Sequence, residues 1–313
     1  MQAYDVLGLG VSTLDVLTLV EHFPQGDEVQ RADEITIQGG GPVATALATL
    51  SRLGARTAML DRLGDDWRGE RIRAEFIQQG VSVEHILIQP GCTSSLASVW
   101  VQQGSGARSI AYAPGSAAEL DATDVPEALL RSAKFLHVNG RHWRACLHAA
   151  RLAKSAGVQV SFDGGAHRYR AEMRSLLPLC DVCILSQHFA QAYTQRAEIP
   201  GAAHALLQEG MRVLVITDGL RGSWVFDNQG SAFHQPAFLL PAVADTTGCG
   251  DAYHGAFLFG LLRAYSLAQT AALASAVAAL NSRRLGGRAA LPSLDEAQAF
   301  LSAHDCRNCF SSP

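Results

Sequence analysis

Alternation of strand-like and helix-like segments predicts an α/β fold, with a mostly parallel central sheet flanked by helices in three layers. Two observations carry this expectation. Apolar runs at 56–60, 135–138, 158–162, 182–185 and 212–216 are separated by Ala- and Leu-rich stretches at 44–53, 144–156 and 202–209, the pattern of successive βαβ units. Residues 16–38 and 93–112 instead alternate apolar and polar side chains, as at Ile35 and Ile37 or Leu96, Ser98 and Trp100. That period of two predicts a small half-exposed sheet. In open α/β sheets ligands bind at the C-terminal ends of the strands.

At 313 residues, 48% hydrophobic and 17% charged, the chain can bury a large core. It shows no repeat, low-complexity segment or flexible linker, so one domain over 1–313 is expected. A net charge of −4 and a pI near 6.2 leave no basic footprint for nucleic acid or an anionic membrane. Lysine occurs only at 134 and 154, so neutralisation of a phosphate falls to arginine or a metal. No Gly-Lys-Ser/Thr is present, which argues against a P-loop NTPase.

The first strand begins at once, over 4–10, with no basic leader, and no apolar run approaches the roughly 18 residues of a membrane span. A cytoplasmic protein is expected. Seven scattered cysteines, an odd number, suit a reducing compartment. The Cys180/Cys183 and Cys306/Cys309 pairs lie too far apart for a compact zinc site and read as buried and tail cysteines. Gly8-x-Gly10 imitates a dinucleotide fingerprint, but Thr13 stands where the third glycine belongs.

After the first strand comes Asp15, and after the first small-sheet segment Gly39-Gly40-Gly41 opens a helix over 43–53. Farther on, Thr217-Asp218-Gly219 with Gly222 marks a turn at a strand end. A strand expected at 238–243 leads into Asp245-Thr246-Thr247-Gly248-Cys249-Gly250-Asp251, and an apolar helix over 252–264 follows. A helix start built around two glycines presents unpaired N–H groups and partial positive charge, and so attracts a phosphate or a developing oxyanion. Asp251 would repel that anion, so it either merely complements the helix dipole, worth about 0.3–1 kcal/mol, or serves as the base that deprotonates a hydroxyl while the amides hold a phosphoryl group.

The 245–251 segment resembles the D-T-x-G-A-G-D signature of the PfkB/ribokinase family of sugar kinases, with Cys249 in place of the alanine. Collinear landmarks extend the resemblance over nearly the whole chain: Gly10 with Asp15, Gly39-Gly40-Gly41, residues 64–69, residues 217–222 and Gly286-Gly287-Arg288. Gly39-Gly40-Gly41-Pro42 with Thr45, His254-Gly255-Ala256 and Gly286-Gly287-Arg288-Ala289 look most like the sulfofructose kinase branch. The resemblance implies a ribokinase-like three-layer sandwich whose small sheet is a lid over the sugar and a homodimer contact.

It also implies roles. Asp251 is the base and Gly248, Cys249 and Gly250 form the anion hole; Asp15, Gly40, Gly41, Thr45 and Arg141 bind the sugar. Ser186, Thr217, Gly219, Gly222 and Asn281 belong to the nucleotide site, while Asp245 and the Thr247 carbonyl help hold a monovalent cation. The chain departs from the family or branch pattern at four places. Thr45 stands where an asparagine is usual, Phe189 where the Glu of Asn-x-x-Glu would fall, and Asp27-Glu28 with Tyr112 where the branch has a lysine and an asparagine. The function expected is therefore transfer of the γ-phosphoryl group of ATP, with Mg2+ and with K+ as the candidate monovalent cation, to a keto-hexose-like sugar or sugar derivative. The alternative is a regulatory protein on the same fold that binds sugar or nucleotide with reduced turnover.

Overall fold

The computed structural model describes residues 4–304. In chain order the elements are β1 (Tyr4–Leu9), β2 (Thr13–Val20), β3 (Glu34–Gly40), α1 (Pro42–Arg52), β4 (Thr57–Gly64), α2 (Trp67–Gln78), β5 (Val81–Ser82), β6 (Ile86–Gln89), β7 (Ser95–Gln102) and β8 (Arg108–Ala113). There follow α3 (Glu127–Arg131), β9 (Ala133–Val138), α4 (Trp143–Ser155), β10 (Gln159–Gly164), β11 (Val182–Ser186), α5 (Gln187–Thr194), α6 (Ile199–Leu207) and β12 (Val213–Thr217). The chain continues through β13 (Ser223–Asp227), β14 (Ala232–Gln235), α7 (Cys249–Leu262), α8 (Leu267–Asn281) and α9 (Leu294–Ala303).

Ten strands form one sheet in the order β14-β13-β12-β11-β10-β9-β1-β4-β5, with β6 beside β4. Pairing is parallel from β12 to β5, and the β13–β14 hairpin closes one edge in antiparallel fashion. The alternation along β1 shows why helices cover both faces. Val6 enters the core shared with α1, α7 and α8, whereas Leu7 and Leu9 enter the core shared with α4, α5 and α6. Strands buried on both sides read as unbroken apolar runs, as in β11 and β12. Each fully buried Leu or Phe in these cores contributes about 1.5–3 kcal/mol.

A separate four-stranded sheet, ordered β3-β2-β7-β8, stands apart. Its inner residues Leu17, Val99 and Val101 pack on Leu285, while Ile35, Ile37 and Ile110 are exposed. Its bounds are wider than the 16–38 expected from alternation: β2 starts at Thr13 and β3 ends at Gly40. Asp15 therefore lies within a strand, one step beyond the first-strand terminus expected for it. Gly39 and Gly40 are likewise strand residues, and only Gly41, with φ of 95°, makes the turn into α1.

The strand expected at 238–243 does not form. Pro236 and Pro241 lack the N–H a ladder needs, and Phe238 packs edge-on against Phe300 instead of lying in a sheet. The helix expected at 252–264 begins three residues earlier, at Cys249. It is apolar around its whole circumference, which suits a helix sunk in the core. Gly255 lets it approach α1: a Cβ there would stand 2.4 Å from the Ala46 carbonyl oxygen and 2.7 Å from Thr49 Cβ. This contact sets the start of α7 beside the start of α1. Overpacking costs about 1–3 kcal/mol, so Gly255→Val should lower the urea midpoint accordingly; an unchanged midpoint would show that the helices are not in close contact.

Candidate active site

The loop before α7 is built around one buried carboxylate. Asp245 is fully buried; its Oδ1 accepts from the Thr247 N–H at 2.7 Å and its Oδ2 from the Gly286 N–H at 2.8 Å. Asn281, also fully buried, donates Nδ2–H to the Gly287 carbonyl at 2.9 Å. Gly248 sits in the left-handed region with φ of 71°, and a Cβ on it would lie 2.6 Å from the Gly287 oxygen. Gly250 differs: its φ is not in that region, and nothing lies within 4 Å of where its Cβ would be. Packing therefore explains glycine at 248, whereas at 250 the space is left open above first-turn amides that have no intrahelical acceptor.

Asp251, in the first turn of α7, remains partly accessible. Desolvation raises its pKa and Asp163 adds to the rise, while Arg168 and Arg108 pull the other way. Asp163, buried at the end of β10, meets Arg168 Nη1 at 3.5 Å and His254 Nε2 at 3.5 Å. Burial lowers the His254 pKa to about 4 and that of His137 to about 3, so both rings are neutral near pH 7. Arg108, the first residue of β8, donates from Nη1 to Thr246 Oγ1 at 3.0 Å, and the Thr246 hydroxyl donates to the Gly106 carbonyl at 2.8 Å. The turn between β7 and β8 is thereby fastened to the anion loop.

Facing this loop is a second polar group. Asp15 Oδ1 accepts from the Thr13 hydroxyl at 2.6 Å, and its Oδ2 lies so close to Gly40 that a Cβ there would be 2.0 Å away. Burial pushes the Asp15 pKa up to about 6, against the Thr13 hydrogen bond and Arg288, while Asp251 and Glu75 push in the same direction as burial. Thr45 is buried in the first turn of α1 and accepts from Arg288 Nε at 3.1 Å.

Arg141 follows β9, donates from Nη2 to the Tyr112 hydroxyl at 3.1 Å and lies over that ring at 5.6 Å. The two border a small cavity of about 100 Å³ with Ser12, Asp61, Ser95 and His142. His142 Nδ1 accepts from the Leu120 N–H at 3.1 Å, so its other nitrogen carries the proton that Asp61 Oδ1 accepts at 2.8 Å.

Of the residues expected at the nucleotide, Ser186 and Thr217 pair at the ends of β11 and β12, whereas Asn281 is the last residue of α8. The Ser186 hydroxyl caps α5 by accepting from the Phe189 N–H at 3.1 Å, and Gly219 and Gly222 adopt φ of 52° and 92°. Phe189 itself is fully buried against Phe162, Tyr169 and Tyr193. A core aromatic occupies the place where the family pattern puts a carboxylate.

Cys180 and Cys183 are buried, Cys306 and Cys309 lie outside the described residues, and among the described residues no cluster of three His, Cys, Asp or Glu side chains could hold a metal. No helix among them is long and apolar enough to cross a membrane. A larger cavity of about 550 Å³, lined by Lys134, Gln159, Arg212 and Tyr265, opens at the strands' N-terminal ends, away from the anion loop. Sequence patterns did not single out Glu75, Arg108, Asp163 or Arg168, because their partners lie far away or on irregular loops.

The residues 5–294 match the model of the pfkB family carbohydrate kinases. The chain is 26% identical over 303 residues to a nucleoside kinase of Methanothermobacter thermautotrophicus, covering 96% of each protein. With the ketohexokinase of Mus musculus it shares 25% identity over 277 residues, 85% of this chain and 92% of that enzyme. An Escherichia coli protein described as a ribokinase II, solved in complex with ATP and Mg2+, superposes with a TM-score of 0.82 at 21% identity, covering 96% of this chain and 100% of the other. The ribokinase-like fold and the match across nearly its whole length make this chain a member of the pfkB family of carbohydrate kinases.

Proposed function

We propose that the protein transfers the γ-phosphoryl group of ATP to a hydroxyl of a keto-hexose-like sugar or sugar derivative. The observation that carries this reading is Gly250, a glycine required neither by φ nor by packing, beside the partly accessible Asp251. A glycine kept free of contacts at a helix start leaves room for a phosphate to reach the amides. Asp15, Gly40, Gly41 and Thr45 orient the sugar, with the small sheet as lid, and Arg141 takes an anionic substituent where the sugar carries one. Asp251 accepts the hydroxyl proton, the sugar oxygen forms its bond to the γ-phosphorus, and the bond to the β-phosphate oxygen breaks with release of ADP. The amides of Gly248, Cys249 and Gly250 hold the transferring group while Arg108 and Arg168 offset charge around it.

Ser186, Thr217, Gly219, Gly222 and Asn281 border the nucleotide. Magnesium arrives with ATP and spreads the phosphate charge. The buried Asp245 carboxylate and the Thr247 carbonyl would hold K+, and the Thr247 hydroxyl there has no hydrogen-bond partner among the described residues. Exposed Ile35, Ile37 and Ile110 on the small sheet support a homodimer through it.

The test is ADP release over a panel of D-fructose, D-ribose, fructose 6-phosphate and sulfofructose. Sugar-dependent ADP release is expected, and stabilisation by sugar without ADP would mark a binding protein. Asp251→Asn should lower kcat by about 10²–10⁴ and leave ATP affinity nearly intact; full turnover would remove it as base. Gly250→Ala should fold at least as stably, gaining up to about 1 kcal/mol of helix propensity, yet lose at least about tenfold in kcat. Retained turnover would mean that no phosphate approaches there. Because Asp15 binds hydroxyls as a carboxylate and its pKa stands at about 6, kcat/KM for the sugar should be full above that pH and fall as pH drops through it. A flat profile from pH 5 to 8 would contradict its role.

A further inference from the structure

Arg288 is a buried charge that the proposed chemistry does not use. It is 5% exposed and lies at 5.4 Å over the Phe76 ring. Beyond its bond to Thr45, it donates from Nη2 to the Gly40 carbonyl at 2.8 Å and from Nη1 to Glu75 Oε1 at 3.3 Å. The Gly39 N–H donates in turn to Glu75 Oε2, and the Arg288 N–H donates to Gln38 Oε1 at 3.0 Å. A Cβ on Gly39 would stand 2.6 Å from Arg288 Nη1, so the end of β3 is shaped to admit the guanidinium. Gly40 is consequently held from two sides, its carbonyl by Arg288 and its Cα by the Asp15 carboxylate.

Building on the sugar-kinase reading above, we infer that Arg288, anchored by Glu75, is the positioning residue for the acceptor sugar: it fixes the Gly39–Gly41 backbone and keeps Asp15 ionised to receive the sugar's hydroxyls. The charged groups facing Asp15 are Arg288, Glu75 and Asp251, and the Thr13 hydroxyl is bonded to it. Arg288 is the one cation among them, and burial and both acids act against ionisation. With three carboxylates around one guanidinium, this end of the site favours neutral hydroxyls and disfavours an anionic substituent.

The experiment follows the Asp15 side-chain carboxyl by 13C NMR titration of the free protein, with Asp15→Asn for assignment, beside pH profiles of kcat/KM for D-fructose. Arg288→Met should raise the Asp15 midpoint by about one pH unit and raise KM more than it lowers kcat. Glu75→Gln should move the midpoint the other way, a reversal of sign that loss of structure alone does not produce. Should Arg288→Met fail to fold because Glu75 is left without its counter-charge, the double variant with Glu75→Gln removes both charges. Its midpoint should lie above that of Glu75→Gln alone. An Asp15 midpoint indifferent to these changes, or KM and kcat affected equally at every pH, overturns the inference. If Asp15 titrates as stated but no sugar is phosphorylated, the kinase reading falls while the charge relation between Arg288 and Asp15 stands.

Discussion

The fully buried carboxylate of Asp245 is the constraint on which the rest of the site depends. It joins two loops that are 41 residues apart, accepting one amide from each. A buried charge is costly unless its oxygens are hydrogen-bonded, and bonds to charged groups are worth about 1.5–3 kcal/mol each. Satisfying this one acid fixes the residue preceding the anion hole and, at the same time, the Gly286-Gly287 turn that packs against Gly248. That turn carries Leu285 under the small sheet and Arg288 under Asp15. The start of α7 and the end of β3 are therefore set in register by a single residue.

Around this frame the site is acidic and is balanced by arginine alone. Asp15 and Asp251 act on each other, Glu75 on the first and Asp163 on the second, and Arg288, Arg168 and Arg108 offset their charge. A guanidinium keeps its charge on burial and offers several fixed donors, which a lysine does not. The chain's two lysines accordingly lie elsewhere: Lys134 pairs with Asp5 at 3.1 Å and Lys154 donates to the Pro178 carbonyl at 2.7 Å. The two neutral histidines, His137 and His254, fill the space behind Asp251 without adding charge.

Much of this was legible in the sequence where the signal is local. The βαβ alternation, the two-residue period of the small sheet and the glycine-bounded start of α7 each follow from neighbours along the chain, and the strands and helices so expected formed within a few residues. The 238–243 segment was misleading because Phe238 packs edge-on against Phe300 of α9 and Leu239 is exposed, so its apolar residues form no ladder. Asp15 was placed at a strand end because the sequence does not show that β2 begins at Thr13. The Arg288–Glu75 pair spans 213 residues and Arg108–Thr246 spans 138, so neither leaves a periodic trace. Phe189 shows the converse: a departure from a family pattern visible in sequence, whose physical content, a packed aromatic core, emerges only in three dimensions.

The central claim is geometric: an anion held by the amides of Gly248, Cys249 and Gly250, and a sugar hydroxyl within hydrogen-bond reach of Asp251. A crystal structure with a non-hydrolysable ATP analogue and D-fructose tests it most directly. The account predicts the terminal phosphate over the start of α7 and a primary hydroxyl about 2.6–3.2 Å from an Asp251 oxygen. A terminal phosphate bound elsewhere, or an Asp251 carboxylate turned away from the sugar, would contradict it.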